Sequence, residues 1–255
     1  MIQRYNAEAM SLKSYEAKFF SATLEIFPQS GYSCIQLSIQ INRTKKLIKG
    51  LKEHMIDLVL YIHGKGGSAE ESDHYKPLFP NCKVVGLDYK TFTPWETGKE
   101  ILKAVESLHT QYKKIVLIAN SIGAFFSMNA GIDGMISRAY FISPIVNMER
   151  LILDMMAFAN ITEKELAQRG FVSTSFGEDL TWDYLCYVRE HPISWSVPTK
   201  ILYGSSDHLI DYKTVQAFAH AHDAELTVME EGEHWFHTDD QMKFLDNWIK
   251  QVIQR

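Results

Sequence analysis

The stretch that decides the fold is Ile115-Val116-Leu117-Ile118-Ala119-Asn120-Ser121-Ile122-Gly123. It begins with an unbroken apolar run, which is typical of a strand covered on both faces in a parallel sheet. The run leads into a serine whose second neighbours on either side, Ala119 and Gly123, are small. A tight strand-to-helix turn needs small residues at these two positions, and it presents the serine hydroxyl to a base and to a substrate. The stretch therefore predicts Ser121 as a nucleophile; the alternative is a serine that caps an ordinary helix.

Apolar runs and helix-like segments alternate on both sides of this stretch. Besides the central run at residues 114–119, the pattern predicts buried strands at residues 56–62, 83–88, 138–143, 199–204 and 226–229. Segments 94–111, 211–222 and 239–253 carry apolar residues at helical spacing, which predicts helices. Alternating strands and helices joined by right-handed crossovers build a three-layer α/β domain around a mostly parallel sheet.

Two regions depart from this alternation. Residues 18–27 and 33–41 are rich in β-branched and aromatic residues and flank a turn signal at residues 28–31, which predicts an N-terminal antiparallel hairpin. Residues 145–195 contain helical stretches and no convincing strand, and we expect them to form a small cap above the carboxyl edge of the sheet. An extra helical layer without a role in binding is the alternative. No linker divides the chain, so residues 1–255 are interpreted as a single domain with this insertion.

The composition excludes several classes of function. The chain of 255 residues is 46% hydrophobic and has a net charge of -5, so no basic face for a nucleic acid is indicated. No apolar stretch is long enough to span a bilayer, and the N-terminal residues do not resemble a signal peptide. The three cysteines are far apart and odd in number, which suits reduced thiols. We therefore expect a cytoplasmic protein that acts on a small molecule, and the sequence does not indicate its oligomeric state.

A carboxylate and an imidazole follow the serine, each after a predicted strand. Asp207 lies in the loop after the run that ends at Gly204, and His234 follows the last predicted strand. A serine hydroxyl becomes nucleophilic when a neutral imidazole takes its proton, and a carboxylate holds that imidazole in the required tautomer. We predict His234 as general base and Asp207 as its partner. Taken singly, a turn-forming aspartate and a packed histidine are the alternatives.

Two neighbouring residues compete for these roles. His237 competes with His234, but His234 lies closer to the end of the strand. Asp211 competes with Asp207, but it falls at the predicted start of a helix. The sequence therefore favours the Asp207 and His234 pair.

The glycine-rich loop His63-Gly64-Lys65-Gly66-Gly67 follows the first core strand and permits two interpretations. In a hydrolase, such a loop supplies a backbone N–H group that stabilises an oxyanion. In an oxidoreductase, it would bind a dinucleotide. Gly64, Gly66 and Ala69 match the spacing of a dinucleotide-binding fingerprint, and Asp88 ends the next strand, where a ribose-binding acid would fall. That interpretation predicts a NAD-linked oxidoreductase. It leaves the placement of Ser121, Asp207 and His234 unexplained, so it is the weaker of the two.

From about residue 57 to the C-terminus the chain resembles the α/β-hydrolase superfamily. The resemblance rests on the His63–Gly67 loop, the Ala119–Gly123 turn, and the two loops that end at Asp207 and at His234. It implies a mostly parallel sheet of the eight-stranded type, a cap inserted after the strand near Ser143, and a Ser121–His234–Asp207 triad. It also implies that the backbone N–H groups of Ile122 and Lys65 stabilise an oxyanion. Alanine at position 119, where the family usually has glycine, leaves the subfamily unassigned.

The expected chemistry is hydrolysis of a small or medium acyl ester through an acyl-enzyme, and it needs no metal or organic cofactor. Amides, thioesters and C–C bonds stay open as substrates, as does an inactive hydrolase fold that binds a ligand or partner. The cap offers side chains that could line an acyl pocket or form the core of the cap: Leu151, Leu153, Met155, Met156, Phe158 and Phe171.

Overall fold

The computed structural model describes Arg43 and residues 58–253. The predicted N-terminal hairpin therefore lies outside the described residues, and the interpretation of residues 1–255 as a single domain stays a prediction.

Apolar runs form the strands of the main sheet, as the sequence predicts. The strands are β1 (Leu58–Ile62), β2 (Lys83–Leu87), β3 (Ile115–Asn120), β4 (Ile136–Ile142), β5 (Phe171–Ser173), β6 (Asp179–Thr181), β7 (Thr199–Gly204) and β8 (Glu225–Met229). Six of them form one sheet in the order β2-β1-β3-β4-β7-β8, and every neighbouring pair in it is parallel. The described residues thus contribute six strands to a sheet that the resemblance describes as eight-stranded.

Seven α-helices connect and cover these strands within the described residues. They are α1 (Pro94–His109), α2 (Ile122–Met128), α3 (Met148–Phe158), α4 (Glu163–Arg169), α5 (Trp182–Glu190), α6 (Tyr212–Ala221) and α7 (Asp239–Ile253). A 3-10 segment, Ala69–Leu78, links β1 to β2. The predicted three-layer α/β architecture is confirmed. None of the described helices combines the length and apolar character needed to cross a bilayer.

The core lies on both faces of the central strands, which explains their unbroken apolar sequence. All residues of β1 and the first five residues of β3 are buried. Amphipathic helices α1 and α7 bury Ile101, Val105, Leu245 and Ile249. Such packing fixes β1 and β3 side by side, so their carboxyl ends lie next to each other at one edge of the sheet.

The insertion between β4 and β7 contains helices α3, α4 and α5, as predicted, together with one feature the sequence did not indicate. Strands β5 and β6 pair as a small antiparallel hairpin within it. Each strand has only three residues, and Leu180 is the one residue of the two strands that is buried, so neither produces the apolar run that marks a buried strand. We call residues 145–195 the cap and residues 171–181 the cap hairpin.

Candidate active site

Ser121 lies at the sharp turn between β3 and α2. Its backbone adopts φ 49° and ψ -121°, a conformation that residues other than glycine rarely take. The turn is held by the sheet, since the Ser121 N–H donates to the Ile142 carbonyl at 3.0 Å and the Ile145 N–H donates to the Ser121 carbonyl at 3.1 Å. Strain of this kind persists only where surrounding contacts impose it, and it is common at functional sites.

The small residues around this turn are required by close backbone packing. A Cβ atom at Gly123 would lie 2.4 Å from the His63 carbonyl oxygen and 2.7 Å from that of Ile62. Ala119 is fully buried in the core and its single methyl group is accepted there. The turn therefore tolerates alanine on its strand side, whereas glycine is required on its helix side.

The structure brings His234 to Ser121. The Ser121 Oγ and His234 Nε2 atoms are 2.8 Å apart, although the residues are separated by 113 positions in sequence. His234 Nδ1 lies 2.7 Å from Asp207 Oδ2. A carboxylate only accepts hydrogen bonds, so His234 donates from Nδ1, and Nε2 is left to accept the serine proton.

Asp207 is held rigidly by its own loop. Its side chain is fully shielded from solvent, and its second oxygen, Oδ1, accepts hydrogen bonds from the backbone N–H groups of Leu209 at 2.8 Å and Ile210 at 3.2 Å. Both carboxylate oxygens thus have partners, as a buried charge requires. The three groups form a hydrogen-bonded chain that can move a proton from the hydroxyl to the imidazole.

The loops that carry Asp207 and His234 touch each other through glycine. A Cβ atom at Gly204 would lie 2.3 Å from the carbonyl oxygen of Gly232. The Ser206 N–H donates to that same carbonyl at 2.8 Å, which joins the two loops. This contact holds the two loops next to each other, so that the Asp207 carboxylate lies within hydrogen-bonding distance of the His234 imidazole.

The two competing residues take other positions. His237 stacks on Trp235, and its Nδ1 atom bonds to the Trp235 carbonyl at 2.7 Å. Asp211 caps helix α6 by accepting the Thr214 N–H at 3.0 Å. Neither side chain makes a hydrogen bond to Ser121 or His234 in the described contacts.

The glycine loop borders the serine. A Cβ atom at Gly64 would lie 3.2 Å from the Ser121 Cβ, and the Gly67 N–H donates to the Gly64 carbonyl at 3.2 Å. Residues 64–67 therefore form a tight turn with Lys65 at its second position, here called the oxyanion turn after the role that is proposed for it below. Ile122 opens helix α2, so its N–H has no intrahelical acceptor. Both predicted donors thus belong to segments that lie beside Ser121.

His63 anchors this loop from beneath. It is buried, its ring stacks on Tyr89 at 4.2 Å between centroids, and its Nδ1 lies 2.8 Å from the Gly64 carbonyl oxygen. The Tyr89 hydroxyl donates to the His63 carbonyl at 2.9 Å. His63 is thus a structural part of the loop.

A polar network was not found from sequence. It lies beneath residues 119–123, here called the nucleophile turn after the role that is proposed for Ser121. Asn120 donates from Nδ2 to the Tyr61 hydroxyl at 2.9 Å, and that hydroxyl donates to Glu71 Oε2 at 2.5 Å. Burial and the neighbouring Tyr75 and Glu71 raise the pKa of Tyr61 far above its usual value, so it stays a donor. The available signal was a tyrosine within an otherwise apolar strand.

The dinucleotide interpretation of the glycine loop finds little support in the local structure. The loop leads into a 3-10 segment at Ala69, whereas a dinucleotide fingerprint opens an α-helix. Asp88 pairs with Lys90 at 2.6 Å on the surface. Within residues 58–253, no group of three or more His, Cys, Asp or Glu side chains is placed to hold a metal ion.

Solved structures with the same fold include several α/β hydrolases. Est1E from Butyrivibrio proteoclasticus, in a structure with ferulic acid bound, is 15% identical over 79% of this chain and 89% of its own, with a TM-score of 0.63. Alpha/beta hydrolase domain-containing protein 10 from mouse is 15% identical over 77% of this chain and 89% of its own, with a TM-score of 0.58. Esterase Pf2001 from Pyrococcus furiosus is 21% identical over 78% and 81%, with a TM-score of 0.50. At these identities the likeness establishes the fold, which is that of the α/β hydrolases.

Two comparisons at the level of sequence give one match, which is to a family. None of the curated proteins matches this chain. A sequence profile matches residues 58–250, which is most of the described region. The chain therefore belongs to the Uncharacterised protein family (UPF0227), and it has the α/β-hydrolase fold.

Proposed function

We propose that this chain is a serine hydrolase that cleaves a small or medium acyl ester. One observation carries the proposal: an unbroken hydrogen-bonded chain runs from Asp207 through His234 to Ser121, with contacts of 2.7 and 2.8 Å. The strained backbone of Ser121 supports it, since such strain is characteristic of a nucleophile on a strand-to-helix turn.

The first step forms an acyl-enzyme. His234 Nε2 takes the proton of Ser121 as Oγ attacks the ester carbonyl carbon, and Asp207 stabilises the resulting imidazolium. The carbonyl oxygen becomes an oxyanion, which the N–H groups of Ile122 and Lys65 stabilise. When the tetrahedral intermediate collapses, the carbon–oxygen bond to the alcohol breaks and the imidazolium donates its proton to the departing alcohol.

The second step returns the enzyme to its starting state. His234 takes a proton from water, and the resulting hydroxide attacks the acyl carbon. The same N–H groups stabilise the second oxyanion. Collapse releases the carboxylic acid, and His234 returns its proton to the Ser121 oxygen.

The side chains proposed to line an acyl pocket differ in their exposure. Leu151 and Met156 on α3 are buried, whereas Phe158 and Phe171 are 74% and 52% exposed. Two of the similar folds are esterases, and one of them was solved with an aromatic carboxylic acid. An ester is therefore preferred over an amide as the first substrate to test.

Labelling with a fluorophosphonate tests this proposal, because the probe reacts only with an activated serine. Wild-type protein should be labelled, and Ser121→Ala should not. Ser107→Ala, which changes an exposed serine on α1, is the matched control and should label like the wild type. Aryl esters of increasing acyl length would then report the size of the pocket.

Two results would contradict the proposal. Labelling that persists in folded Ser121→Ala would show that another residue reacts. Absence of labelling in folded wild-type protein, together with no aryl-ester hydrolysis, would favour an inactive fold that binds a ligand or partner.

A further inference from the structure

The cap hairpin touches the oxyanion turn through one ion pair. Lys65 Nζ donates to Glu178 Oε2, although the two residues are 113 positions apart. Their side chains remain 53% and 38% exposed, so the pair lies at the rim of the site. This contact joins an element of the cap to the turn that borders Ser121.

The hairpin end of the contact has a defined geometry. The Glu178 N–H donates to the Thr174 Oγ1 at 3.1 Å, and the Thr174 N–H donates to the Glu178 carbonyl at 3.1 Å. The Thr174 hydroxyl donates in turn to that carbonyl. These bonds close residues 174–178 into a compact tip, so the Glu178 backbone is fixed relative to the two strands of the hairpin.

The tip also contacts a second part of the cap. The Phe176 ring packs edge-on against Phe158 at the end of α3, with centroids 5.2 Å apart. The hairpin therefore contacts both helix α3 of the cap, through Phe158, and the oxyanion turn, through Lys65. A shift of the hairpin would act on the oxyanion turn through this ion pair.

We propose that the Lys65–Glu178 ion pair positions the oxyanion turn by fixing it to the cap hairpin. Glu178 and the side chain of Lys65 act as positioning residues, and the Lys65 backbone N–H is the group that they position. The inference rests on the proposed function for its catalytic consequence, whereas the mechanical coupling between hairpin and turn does not depend on it.

Three possible roles of this ion pair predict different kinetics. A donor that acts on the oxyanion is needed in the transition state, so loss of its positioning lowers kcat and leaves KM nearly unchanged. An ion pair that only restricted substrate entry would mainly alter KM. A pair that only stabilised the cap would alter neither constant below the melting temperature.

The test compares Glu178→Gln, Lys65→Met and the exchanged pair Lys65→Glu with Glu178→Lys, using p-nitrophenyl acetate as substrate. Each single variant should lower kcat about two- to fivefold, a range typical of an exposed ion pair. The exchanged pair should regain most of the loss, because it restores the attraction with the charges reversed. Glu190→Gln, an exposed glutamate at the end of α5, is the matched control and should leave kcat unchanged.

Hydrogen exchange supplies a readout that is independent of catalysis. In Glu178→Gln and Lys65→Met, exchange should become faster both in residues 171–181 and in residues 64–67, and the exchanged pair should reverse this. Unchanged exchange in residues 64–67 would overturn the coupling. It would also be overturned if the loss of kcat in the exchanged pair equalled the combined losses of the two single charge changes, Lys65→Glu and Glu178→Lys. If no variant and no wild type reacts with a fluorophosphonate, the proposed function fails, and exchange alone decides whether the ion pair couples hairpin and turn.

Discussion

At the scale of single residues, the site depends on backbone atoms that approach closely and on one carboxylate whose oxygens are both occupied. One carboxylate oxygen of Asp207 accepts a hydrogen bond from His234, and the other accepts hydrogen bonds from backbone N–H groups of its own loop. Gly123 lets the nucleophile turn lie against the end of β1. Each of these features gives a prediction.

Asp207→Asn should lower kcat of the proposed esterase by about four orders of magnitude, which is the effect of the same change in the triad of a serine protease. The amide can present an N–H to His234 Nδ1, which favours the tautomer that cannot accept the serine proton. Steady-state kinetics with an aryl ester measure the loss.

Asp211→Asn provides the control for that change, because Asp211 lies in the same loop region and caps α6. Asparagine is also a good N-cap residue, so activity and stability should stay close to the wild type. Equal losses of activity in the two variants would show that Asp207 has no special role.

Gly123→Ala should destabilise the protein by about 1–3 kcal/mol, the usual cost of forcing extra atoms into a packed region. The new methyl group would overlap the His63 carbonyl and push the nucleophile turn away from the oxyanion turn. Chemical denaturation measures the loss. Gly134→Ala is the matched control, since a Cβ atom there has no neighbour within 4 Å. A similar small effect from both changes would contradict the packing argument.

At the scale of elements, the ion pairs of one arginine join the helices of the cap. Arg189 on α5 donates from Nε to Glu149 on α3 at 2.6 Å, and it forms two hydrogen bonds to Glu163 on α4 at 2.7 and 2.9 Å. Its side chain therefore connects all three helices of the cap. The guanidinium holds the pKa of Glu163 below its ordinary value of 4.5.

Arg189→Met should loosen the cap without unfolding the sheet, and hydrogen exchange in residues 148–190 should become about two- to fivefold faster, as for loss of a surface ion-pair network. Because the pKa of Glu163 is lower in the folded state, its contribution is present at neutral pH. It is lost as the pH falls below 4.5 and through the folded value. Acidification should therefore loosen the wild-type cap more than that of the variant.

Arg169→Met is the control for this prediction, because it removes the same charge from the same cap. Arg169 lies in the last turn of α4, and its loss should leave exchange in α3 and α5 unchanged. If both variants loosened the cap equally, net charge rather than the Arg189 network would be responsible.

The central strands of the sheet could be predicted from sequence because they are buried on both faces. Strands β1 and β3 have apolar residues at nearly every position, and over the described residues their predicted ranges agree with the structure to within one residue. The cap hairpin could not be predicted, since strands of three residues with one buried side chain between them place no such demand on composition.

At the scale of the whole molecule, the order of the strands in the sheet determines which loops of the candidate site are neighbours. The order β2-β1-β3-β4-β7-β8 sets the oxyanion turn after β1 beside Ser121 after β3, and it sets Asp207 after β7 beside His234 after β8. Only β4 separates the two halves, and the His234 side chain bridges them to reach Ser121. Residues separated by 113 positions therefore meet because parallel strands all end at the same edge.

The sequence by itself determined the strands, the helices and the loops in which Ser121, Asp207 and His234 lie, because burial and tight turns constrain residue type at neighbouring positions. The tertiary structure alone decided which strands are adjacent, that Glu178 meets Lys65, and that Asn120, Tyr61 and Glu71 form one network. These contacts join distant segments through polar side chains, and such pairs leave no periodic pattern in the sequence from which they could be predicted.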